Sequence, residues 1–167
     1  NLKLTAGLRY TKDDKKTIGF SKNMTEPDGA MITKEKDWSK LTWKLGAEWY
    51  LNQDSMIYLT ASTGFKSGGF QLRDDDSSYD QEVVLAWELG SKHRFFGNRL
   101  QANLSWFYYD YQDIQLRTQR DLTAVVENAG ESEVKGIEAE VFARPAIGLE
   151  LRAAAAYIKA EFTDYRD

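Results

Sequence analysis

The stretch Leu41–Leu51, LTWKLGAEWYL, decides the fold class of this chain. Its odd-numbered positions are all apolar, whereas the positions between them are Thr, Lys, Gly, Glu and Tyr. Successive side chains of a β-strand point to opposite faces, so an alternation with a period of two gives one apolar and one polar face. The stretch therefore predicts a strand that separates an apolar environment from a polar one.

The same alternation recurs along the chain. The predicted strands are about Leu2–Lys12, Trp38–Leu51, Ser55–Thr63, Gln81–His93, Arg99–Leu116, a sixth that is interrupted around Asn128–Gly130, and a seventh from Leu149 to near Phe162. The facing of the third strand is ambiguous, because apolar side chains occur on both of its faces. Together these segments predict an all-β, antiparallel up-and-down meander of about seven long strands.

Short and long connections alternate between the strands. The short ones are Asn52–Asp54, Phe95–Asn98 and Pro145–Gly148, and the long polar ones are Asp13–Asp37 and Gly64–Asp80, with a shorter third loop near Arg117–Thr123. Tight turns at one end and long loops at the other are typical of outer-membrane β-barrels, whose turns lie in the periplasm and whose loops lie outside the cell. The pattern predicts a transmembrane β-structure.

Strand length and charge placement support this interpretation. Eight steps from Leu100 to Tyr108, at about 3.3 Å each and a tilt of about 40°, cover about 20 Å of membrane depth. A Lys or Arg that faced lipid at the midplane would cost about 2–4 kcal/mol. The charges in the middle of the predicted strands nevertheless keep to the polar face: Lys44, Glu48, Glu88, Lys92, Glu138, Glu140, Glu150 and Arg152.

The amino-acid composition excludes several classes of protein and of binding site. The net charge is -4, from 22 basic and 26 acidic side chains, so no electrostatic footprint for nucleic acid is present. The absence of cysteine excludes a disulfide framework and a thiolate metal site. Aromatic residues make up 13% of the chain, which fits a barrel with aromatic girdles. The longest apolar run, Ala153–Ile158, is far shorter than the roughly 20 residues of a spanning helix.

Five sequence blocks carry a resemblance to a known family. They are Ala6–Tyr10, the run Tyr58–Phe70 (YLTASTGFKSGGF), Tyr79–Glu82 leading into Trp87–Lys92, Phe107–Gln115, and Asn128–Glu140. In this order they resemble TonB-dependent outer-membrane receptors over nearly the whole chain. The resemblance implies a 22-stranded barrel filled by an N-terminal plug. It also implies binding of a scarce nutrient, mostly a ferric siderophore, haem or cobalamin, with import driven by the TonB complex.

The chain departs from the family pattern at both ends. It shows no plug sequence, no TonB box and no closing strand with an aromatic end, and seven is an odd number of strands. We therefore expect residues 1–167 to be part of a receptor barrel in the outer membrane of a Gram-negative cell. The TonB complex would be a partner only through the absent N-terminal region, while outer-membrane lipid and an extracellular nutrient would be partners of the barrel itself.

The candidate ligand-binding residues are Phe65, Phe70, Arg73 and Tyr79. They lie in or beside the Gly64–Asp80 loop, which in the family reaches toward the ligand vestibule. Arginine and aromatic side chains suit an anionic, aromatic metal chelate through charge-assisted hydrogen bonds and stacking. Packing against neighbouring loops is the alternative role, and the one we favour for these residues from sequence alone.

Other candidate sites have simpler explanations. The Asp74–Asp76 triplet lacks alternating ligand spacing, which favours a solvated loop tip over a cation site. His93, the only histidine, lies beside a short turn and is expected to be an interfacial side chain. Lys12–Lys16 is expected to be a solvated loop base, with contact to lipopolysaccharide phosphates as the alternative. We predict no catalytic residues, no metal site and no cofactor.

Two further functions remain open at this point. One is a passive outer-membrane pore or small structural barrel, which would lack a plug and a TonB box upstream. The other is a soluble all-β binding domain, which would be soluble without detergent. The nutrient receptor is the favoured interpretation.

Overall fold

The computed structural model describes residues 1–21, 30–71, 78–120 and 123–165, and they are almost entirely β-strand. The strands are β1 Leu2–Ser21, β2 Ala30–Tyr50, β3 Ser55–Lys66, β4 Gly69–Phe70, β5 Ser78–Tyr79, β6 Glu82–Phe95, β7 Leu100–Gln112, β8 Gln115–Arg120, β9 Thr123–Asn128, β10 Gly130–Ala146 and β11 Leu149–Tyr165. No helix within these ranges is long and apolar enough to cross a membrane.

Seven long strands form one antiparallel sheet in the order β1-β2-β3-β6-β7-β10-β11, so neighbours in sequence are neighbours in space. Two small ribbons, β4 with β5 and β8 with β9, extend from the connections between long strands. The predicted all-β meander of seven long strands is confirmed.

The register places whole rows of like side chains on one face of the sheet. One row across the seven strands is apolar throughout: Leu4, Ala47, Leu59, Leu89, Trp106, Ile137 and Tyr157. The adjacent row faces the other way and is largely polar: Lys3, Glu48, Tyr58, Gly90, Ser105, Glu138 and Ala156. We call these the apolar face and the polar face. The third strand, whose facing was ambiguous, has Ile57 and Leu59 on the apolar face.

The apolar face is uncovered. Leu8 is 77% exposed, Leu4 71% and Tyr157 72%, and the buried hydrophobic residues in the described part of the chain are only Trp38, Ala61, Phe107 and Ala129. A soluble domain rarely leaves so large a continuous apolar surface in water. The two faces of the sheet are therefore suited to two different environments, and the described residues pack into no central hydrophobic core.

The stagger of the short turns gives the tilt of the strands. The β2–β3 hairpin ends at the pair Tyr50 and Met56, and the β6–β7 hairpin ends at Phe95 and Leu100. Met56 is in register with Asn103 through β6, so the turns shift by three residues over two strands. Three residues cover about 10 Å along a strand, at about 3.3 Å each, and two strand spacings cover about 10 Å across the sheet, at about 4.8 Å each. If the short turns lie at one level, the strands are therefore tilted by about 45°, as in closed barrels.

Aromatic side chains mark both ends of the apolar face. Trp49, His93 and Phe95 lie near the short turns, where the His93 and Phe95 rings stack at 6.0 Å. The opposite end carries Tyr10, Trp87, Tyr108 and Tyr157. Two aromatic belts on one apolar surface are typical of the two membrane–water interfaces of a barrel.

The predicted Asp13–Asp37 loop is wrong in extent, because β1 and β2 continue as a paired ribbon as far as Ser21 and Ala30. The ribbon extends beyond the apolar band and is charged on both faces at residues 13–16 and 34–37, so the apolar alternation is interrupted there. Cross-strand pairs such as Lys16 with Glu35, at 3.4 Å between Nζ and Oε1, accompany the pairing. The predicted turn at Pro27–Gly29 lies outside the described residues.

The other connections also differ in detail. β3 extends to Lys66, so the second long loop begins later than Gly64, and it contains the short β4–β5 ribbon. The predicted third loop near Arg117–Thr123 falls largely within the paired β8–β9 ribbon, whose outermost register pair is Arg120 with Thr123. The second short turn spans residues 96–99, and Phe96, Gly97 and Asn98 all have positive φ values of 55°, 63° and 69°.

Candidate ligand-binding site

The polar side of the β1–β2 ribbon carries a row of lysines above an aromatic residue. Lys34, Lys36 and Trp38 occupy alternate positions of β2 and therefore share one face. Lys15 of β1 is the register partner of Lys36 and lies on the same side. These four side chains, which we call the lysine–tryptophan cluster, face the second long loop.

Lysines of the cluster bind backbone carbonyls of that loop. The Nζ of Lys15 donates to the carbonyl oxygen of Gly68 at 2.5 Å, and the Nζ of Lys34 donates to that of Gln71 at 3.1 Å. Both contacts are partly buried. The ammonium groups of Lys15 and Lys34 thus bind oxygen atoms of the loop, and the same groups can bind the anionic oxygens of a ligand.

Lys36 contacts the far side of the same loop. Its Nζ lies 3.0 Å from the hydroxyl oxygen of Ser78 and 3.1 Å from Oδ1 of Asp80. The carboxylate and the ammonium group are 73% and 40% exposed, so solvent screens this ion pair. The contact positions the loop and contributes little to the stability of the sheet.

Trp38 is the packing centre of the cluster. It is only 5% exposed, and the Phe70 ring meets it edge-on with centroids 5.5 Å apart. The Nζ atoms of Lys15 and Lys36 lie 5.4 and 5.1 Å from the Trp38 ring centroid, in cation–π range. The indole N–H finds no hydrogen-bond partner among the described residues.

Amide side chains hold the other side of the loop. Gln115 donates through Nε2 to the carbonyl oxygens of Ser67 and Asp80, at 3.0 and 2.9 Å. Asn128 donates through Nδ2 to the carbonyl oxygens of Asp80 and Asp113, at 3.0 and 2.8 Å. The loop is therefore tied to the β7–β10 connection as well as to the β1–β2 ribbon.

Closer to the short turns, the polar face carries a hydrogen-bonded ladder of charged groups. Glu48 accepts from Lys3 at 3.0 Å and from the Tyr50 hydroxyl at 2.6 Å. The Tyr58 hydroxyl donates to Oε1 of Glu88 at 2.5 Å. These pairs make the polar face compatible with water and with polar partners. Within the described ranges, no three His, Asp or Glu side chains group as metal ligands.

The sequence-predicted site residues fall in different places. Phe70 contacts Trp38, and Tyr79 pairs with Gly69, so both belong to the region around the lysine–tryptophan cluster. Phe65 lies on the apolar face in register with Val83 and does not join them. Arg73 lies outside the described residues, as does the Asp74–Asp76 triplet.

Sequence reasoning missed the lysines. Lys15, Lys34 and Lys36 fall in the stretch that was interpreted as a solvated loop, so no face was assigned to them. The available signal was the spacing of two between Lys34, Lys36 and Trp38, which continues the parity of the polar positions of β2. The arrangement offers ammonium groups beside aromatic rings, which suits an anionic ligand with flat conjugated groups.

Comparison with known proteins agrees with this architecture. A family model described as TonB dependent receptor-like, beta-barrel matches residues 1–167. Among solved structures, the ferric yersiniabactin uptake receptor FyuA from Yersinia pestis is similar with a TM-score of 0.82 and 21% identity, over 97% of this chain and 24% of that one.

Two other solved structures show the same fold. The siderophore receptor PiuA from Acinetobacter baumannii has a TM-score of 0.76 and 19% identity, over 99% of this chain and 24% of its own. The copper transporter OprC has a TM-score of 0.72 and 14% identity, over 98% of this chain and 27% of its own. The chain spans about a quarter of the length of these proteins.

Proposed function

This chain belongs to the TonB-dependent receptor β-barrel family, and on that premise we propose that it forms part of the wall of an outer-membrane receptor that binds and imports a scarce nutrient. Members of the family are transport receptors of the outer membrane of Gram-negative bacteria. The seven strands would be one arc of a 22-stranded barrel, with the plug and closing strand contributed by other parts of the receptor.

The two faces give the arc its orientation. The apolar face, with its two aromatic belts, meets lipid, and the polar face with its ladder of ion pairs meets the lumen. The short turns lie in the periplasm, and the β1–β2 ribbon and the loop it holds lie outside the cell. The lysine–tryptophan cluster then faces the extracellular mouth of the barrel.

The nutrient we propose is an anionic metal chelate, most consistent with a ferric siderophore. The observation that supports it is the combination of Lys15, Lys34 and Lys36 with the rings of Trp38 and Phe70 on the side of the ribbon that faces the lumen. Charge-assisted hydrogen bonds would bind the anionic oxygens, and the rings would stack on conjugated arms of the chelator. The names of FyuA, a ferric yersiniabactin uptake receptor, and of PiuA, a siderophore receptor, agree with this class of ligand.

Import itself depends on parts of the receptor outside residues 1–167. In the proposed mechanism, this chain supplies the wall and part of the external binding surface, and it performs no chemistry on the nutrient. The inner-membrane TonB complex would act through the N-terminal region of the receptor.

The test uses the full-length receptor on intact cells. Binding of ⁵⁵Fe-labelled ferric chelates of a catecholate and of a hydroxamate is measured for wild type, Lys15→Gln/Lys36→Gln and the control Lys44→Gln. Lys44 lies on the polar face away from the cluster. We expect the double variant to bind the preferred chelate at least tenfold more weakly and the control to bind as wild type does. Unchanged binding by the double variant contradicts the site.

A passive pore gives a different result in the same cells. Uptake of the labelled chelate by a coupled receptor stops when the proton gradient is dissipated, while surface binding persists. Uptake that continues without the gradient contradicts the proposed receptor function.

A further inference from the structure

We propose that Phe142, Arg144 and Arg152 form a second binding site for the anionic nutrient, at the periplasmic end of the lumen, where the chelate leaves the barrel. We call these three side chains the arginine–phenylalanine cluster. The inference rests on the proposed function, since it takes the same class of ligand and the same assignment of the polar face to the lumen. The cluster shares no residue with the lysine–tryptophan cluster.

The arginine–phenylalanine cluster lies on the polar face where β10 and β11 approach the third short turn. Phe142 and Arg144 occupy alternate positions of β10, and Arg152 of β11 is the direct register partner of Phe142. The turn is close, because β10 ends at Ala146 and β11 begins at Leu149. The cluster therefore lies at the end of the lumen that faces the periplasm in the proposed orientation.

Both guanidinium groups of the cluster contact the same aromatic ring. The guanidinium carbon of Arg144 lies 4.9 Å from the centroid of the Phe142 ring, and that of Arg152 lies 5.2 Å from it. Both distances are in cation–π range. A cation–π contact uses none of the five N–H donors of a guanidinium group, so a stacked arginine can still bind anionic oxygens.

One of the two guanidinium groups has no acidic partner. Arg144 is paired, since its Nε and its Nη2 each lie 2.8 Å from Oε1 of Glu150. Arg152 is exposed, and among the residues that the structure describes it has no carboxylate within ion-pair distance. Glu140, on the next polar position of β10, accepts a hydrogen bond from Nδ2 of Asn103 at 3.3 Å instead. The charge of Arg152 is therefore available to an anionic ligand.

An open cavity of 670 Å³ lies beside the cluster. Besides the cluster, its lining includes the amide side chains of Gln101 and Asn103 on β7 and the small side chain of Ala154 on β11. Sites for small molecules measure about 300–1,000 Å³. The cavity thus combines room for a chelate with amide and guanidinium donors and with a ring on which a conjugated arm can stack.

The two ends of the polar face carry the same chemical groups and are far apart. At each end, two cationic groups lie within 5.4 Å of the centroid of one aromatic ring. On β2, Trp38 lies twelve residues from Tyr50 at the short turn, which is about 40 Å at about 3.3 Å per residue. The polar face between the two ends carries Glu48, Glu88 and Glu138.

This order of charges gives the cluster its role in import. Carboxylates repel an anionic chelate, so the acidic middle of the polar face separates two places where the chelate can bind. Cationic groups beyond the acidic middle give the chelate a favourable position once it has passed. The cluster then receives the nutrient on the exit side and lowers the free energy of the chelate there relative to the middle of the lumen.

The first experiment measures binding and import separately, with the full-length receptor on intact cells. The probe is the ⁵⁵Fe-labelled ferric chelate that the receptor prefers, and Arg144→Gln/Arg152→Gln is compared with wild type. We expect surface binding without the proton gradient to keep its wild-type dissociation constant, which also shows that the variant is folded. The maximal uptake rate in energised cells is expected to fall at least fivefold. An unchanged uptake rate overturns the proposal.

Arg94→Gln is the matched control. Arg94 lies in the same row across the sheet, since its register partner Gln101 is also that of Phe142. The first short turn already engages it, because its Nη2 donates to the carbonyl oxygen of Gln53 at 2.5 Å and lies 3.5 Å from Oδ1 of Asp54. Uptake by this variant is expected to stay within twofold of wild type. A loss as large as that of the double variant overturns the proposal, since any arginine near the turns would then have the same effect.

A second experiment detects the chelate at the cluster directly. Photoreactive benzoylphenylalanine is placed at Ala154, which lines the cavity, or at Ala155, which lies on the apolar face. Cells are irradiated during uptake of a ferric chelate whose chelator carries ¹⁴C. We expect covalent label at position 154 in energised cells only, at least fivefold less of it in the Arg144→Gln/Arg152→Gln background, and none at position 155. No label at position 154, or label that the arginine substitutions leave unchanged, overturns the proposal.

Vancomycin sensitivity identifies the alternative occupant, an acidic segment of the plug. Loss of a plug contact would open the lumen, and vancomycin, which is too large to cross an intact outer membrane, would then enter and kill the cells. Arg144→Gln/Arg152→Gln is expected to stay as resistant as wild type. A sensitive variant that keeps its label at position 154 would assign the cluster to the plug and overturn the proposal.

The same variants separate this inference from the proposed function. If Lys15→Gln/Lys36→Gln loses surface binding while Arg144→Gln/Arg152→Gln imports as wild type does, the outer site stands and the exit site fails. If the lysine variant binds as wild type does and label at position 154 depends on the two arginines, the exit site stands and the outer site fails.

Discussion

Phe107 of β7 lies across the backbone of Gly136 on the neighbouring strand, and the two residues are direct register partners. A Cβ at position 136 would lie 2.5 Å from the backbone carbonyl oxygen of Tyr157 and 2.6 Å from the ring of Phe107, closer than real Cβ contacts come. Phe107 is 6% exposed, which makes it one of the few buried side chains of the sheet. The glycine therefore provides the space that the outer edge of the Phe107 ring occupies on the polar face, as in aromatic rescue of strand glycines.

Gly136→Ala is expected to destabilise the receptor by about 1–3 kcal/mol, the usual cost of forcing extra volume into a packed position. The matched control is Gly7→Ala, because a Cβ at Gly7 meets nothing within 4 Å. Denaturant unfolding of the full-length receptor, followed by heat-modifiable electrophoretic mobility, measures both. Equal stability of the two variants contradicts the close packing described around Gly136.

Spin labels along β7 test the assignment of the two faces. Residues 1–167 contain no cysteine, so single cysteines can be placed at each position from Leu100 to Tyr108. In the membrane-embedded receptor, accessibility to lipid-soluble oxygen is expected to be high at Leu104 and Trp106 and low at Asn103 and Ser105. If the oxygen accessibility of the labels does not oscillate with a period of two residues, the assignment of the apolar face to lipid is wrong.

Charge placed on each face should give opposite results. Leu104 is 53% exposed near the middle of the apolar face, so Leu104→Lys is expected to cost about 2–4 kcal/mol in the membrane. Its neighbour gives the control, because Ser105→Lys puts the same charge on the polar face. Comparing the folded fractions of the two variants in outer-membrane preparations measures the difference. A Ser105→Lys variant as unstable as Leu104→Lys would show that both faces meet lipid.

The sequence predicted the meander because the membrane imposes a strict alternation wherever a strand crosses it. Leu41–Leu51 shows that alternation in full, and its strand was placed correctly at its turn end. The facing of β3 stayed open in the sequence, since Met56 and Tyr58 are nearly as apolar as Ile57 and Leu59. Only pairing with β2 and β6 decides it.

The lysine–tryptophan cluster could not be predicted, for a related physical reason. Beyond the membrane both faces of the β1–β2 ribbon meet water, so no apolar period marks the strands or assigns Lys34 and Lys36 to a side. The contacts of Lys15 with Gly68 and of Lys36 with Asp80 join residues 53 and 44 positions apart. Such contacts depend on tertiary structure and leave no local signal. Phe70 and Tyr79, which lie beside the cluster, were singled out because they fall within recognisable sequence blocks, and their role in ligand binding stays a prediction.

Trp38 is expected to control how firmly the second long loop is held, independently of the barrel. Its ring is buried against Phe70 and between two lysines, whereas the exposed ion pair of Lys36 with Asp80 is worth at most about 1 kcal/mol.

Trp38→Ala should therefore raise the rate of protease cleavage within residues 64–71 on intact cells at least tenfold, while Lys36→Gln raises it less than fivefold. Trp49→Ala, on the apolar face near the short turns, should leave cleavage unchanged. Because the contacts of Trp38 and Lys36 lie beyond the membrane band, the denaturant midpoint of the receptor should stay that of wild type in Trp38→Ala and Lys36→Gln. Cleavage that responds to Lys36→Gln as strongly as to Trp38→Ala would mean that charge, and not the buried ring, holds the loop.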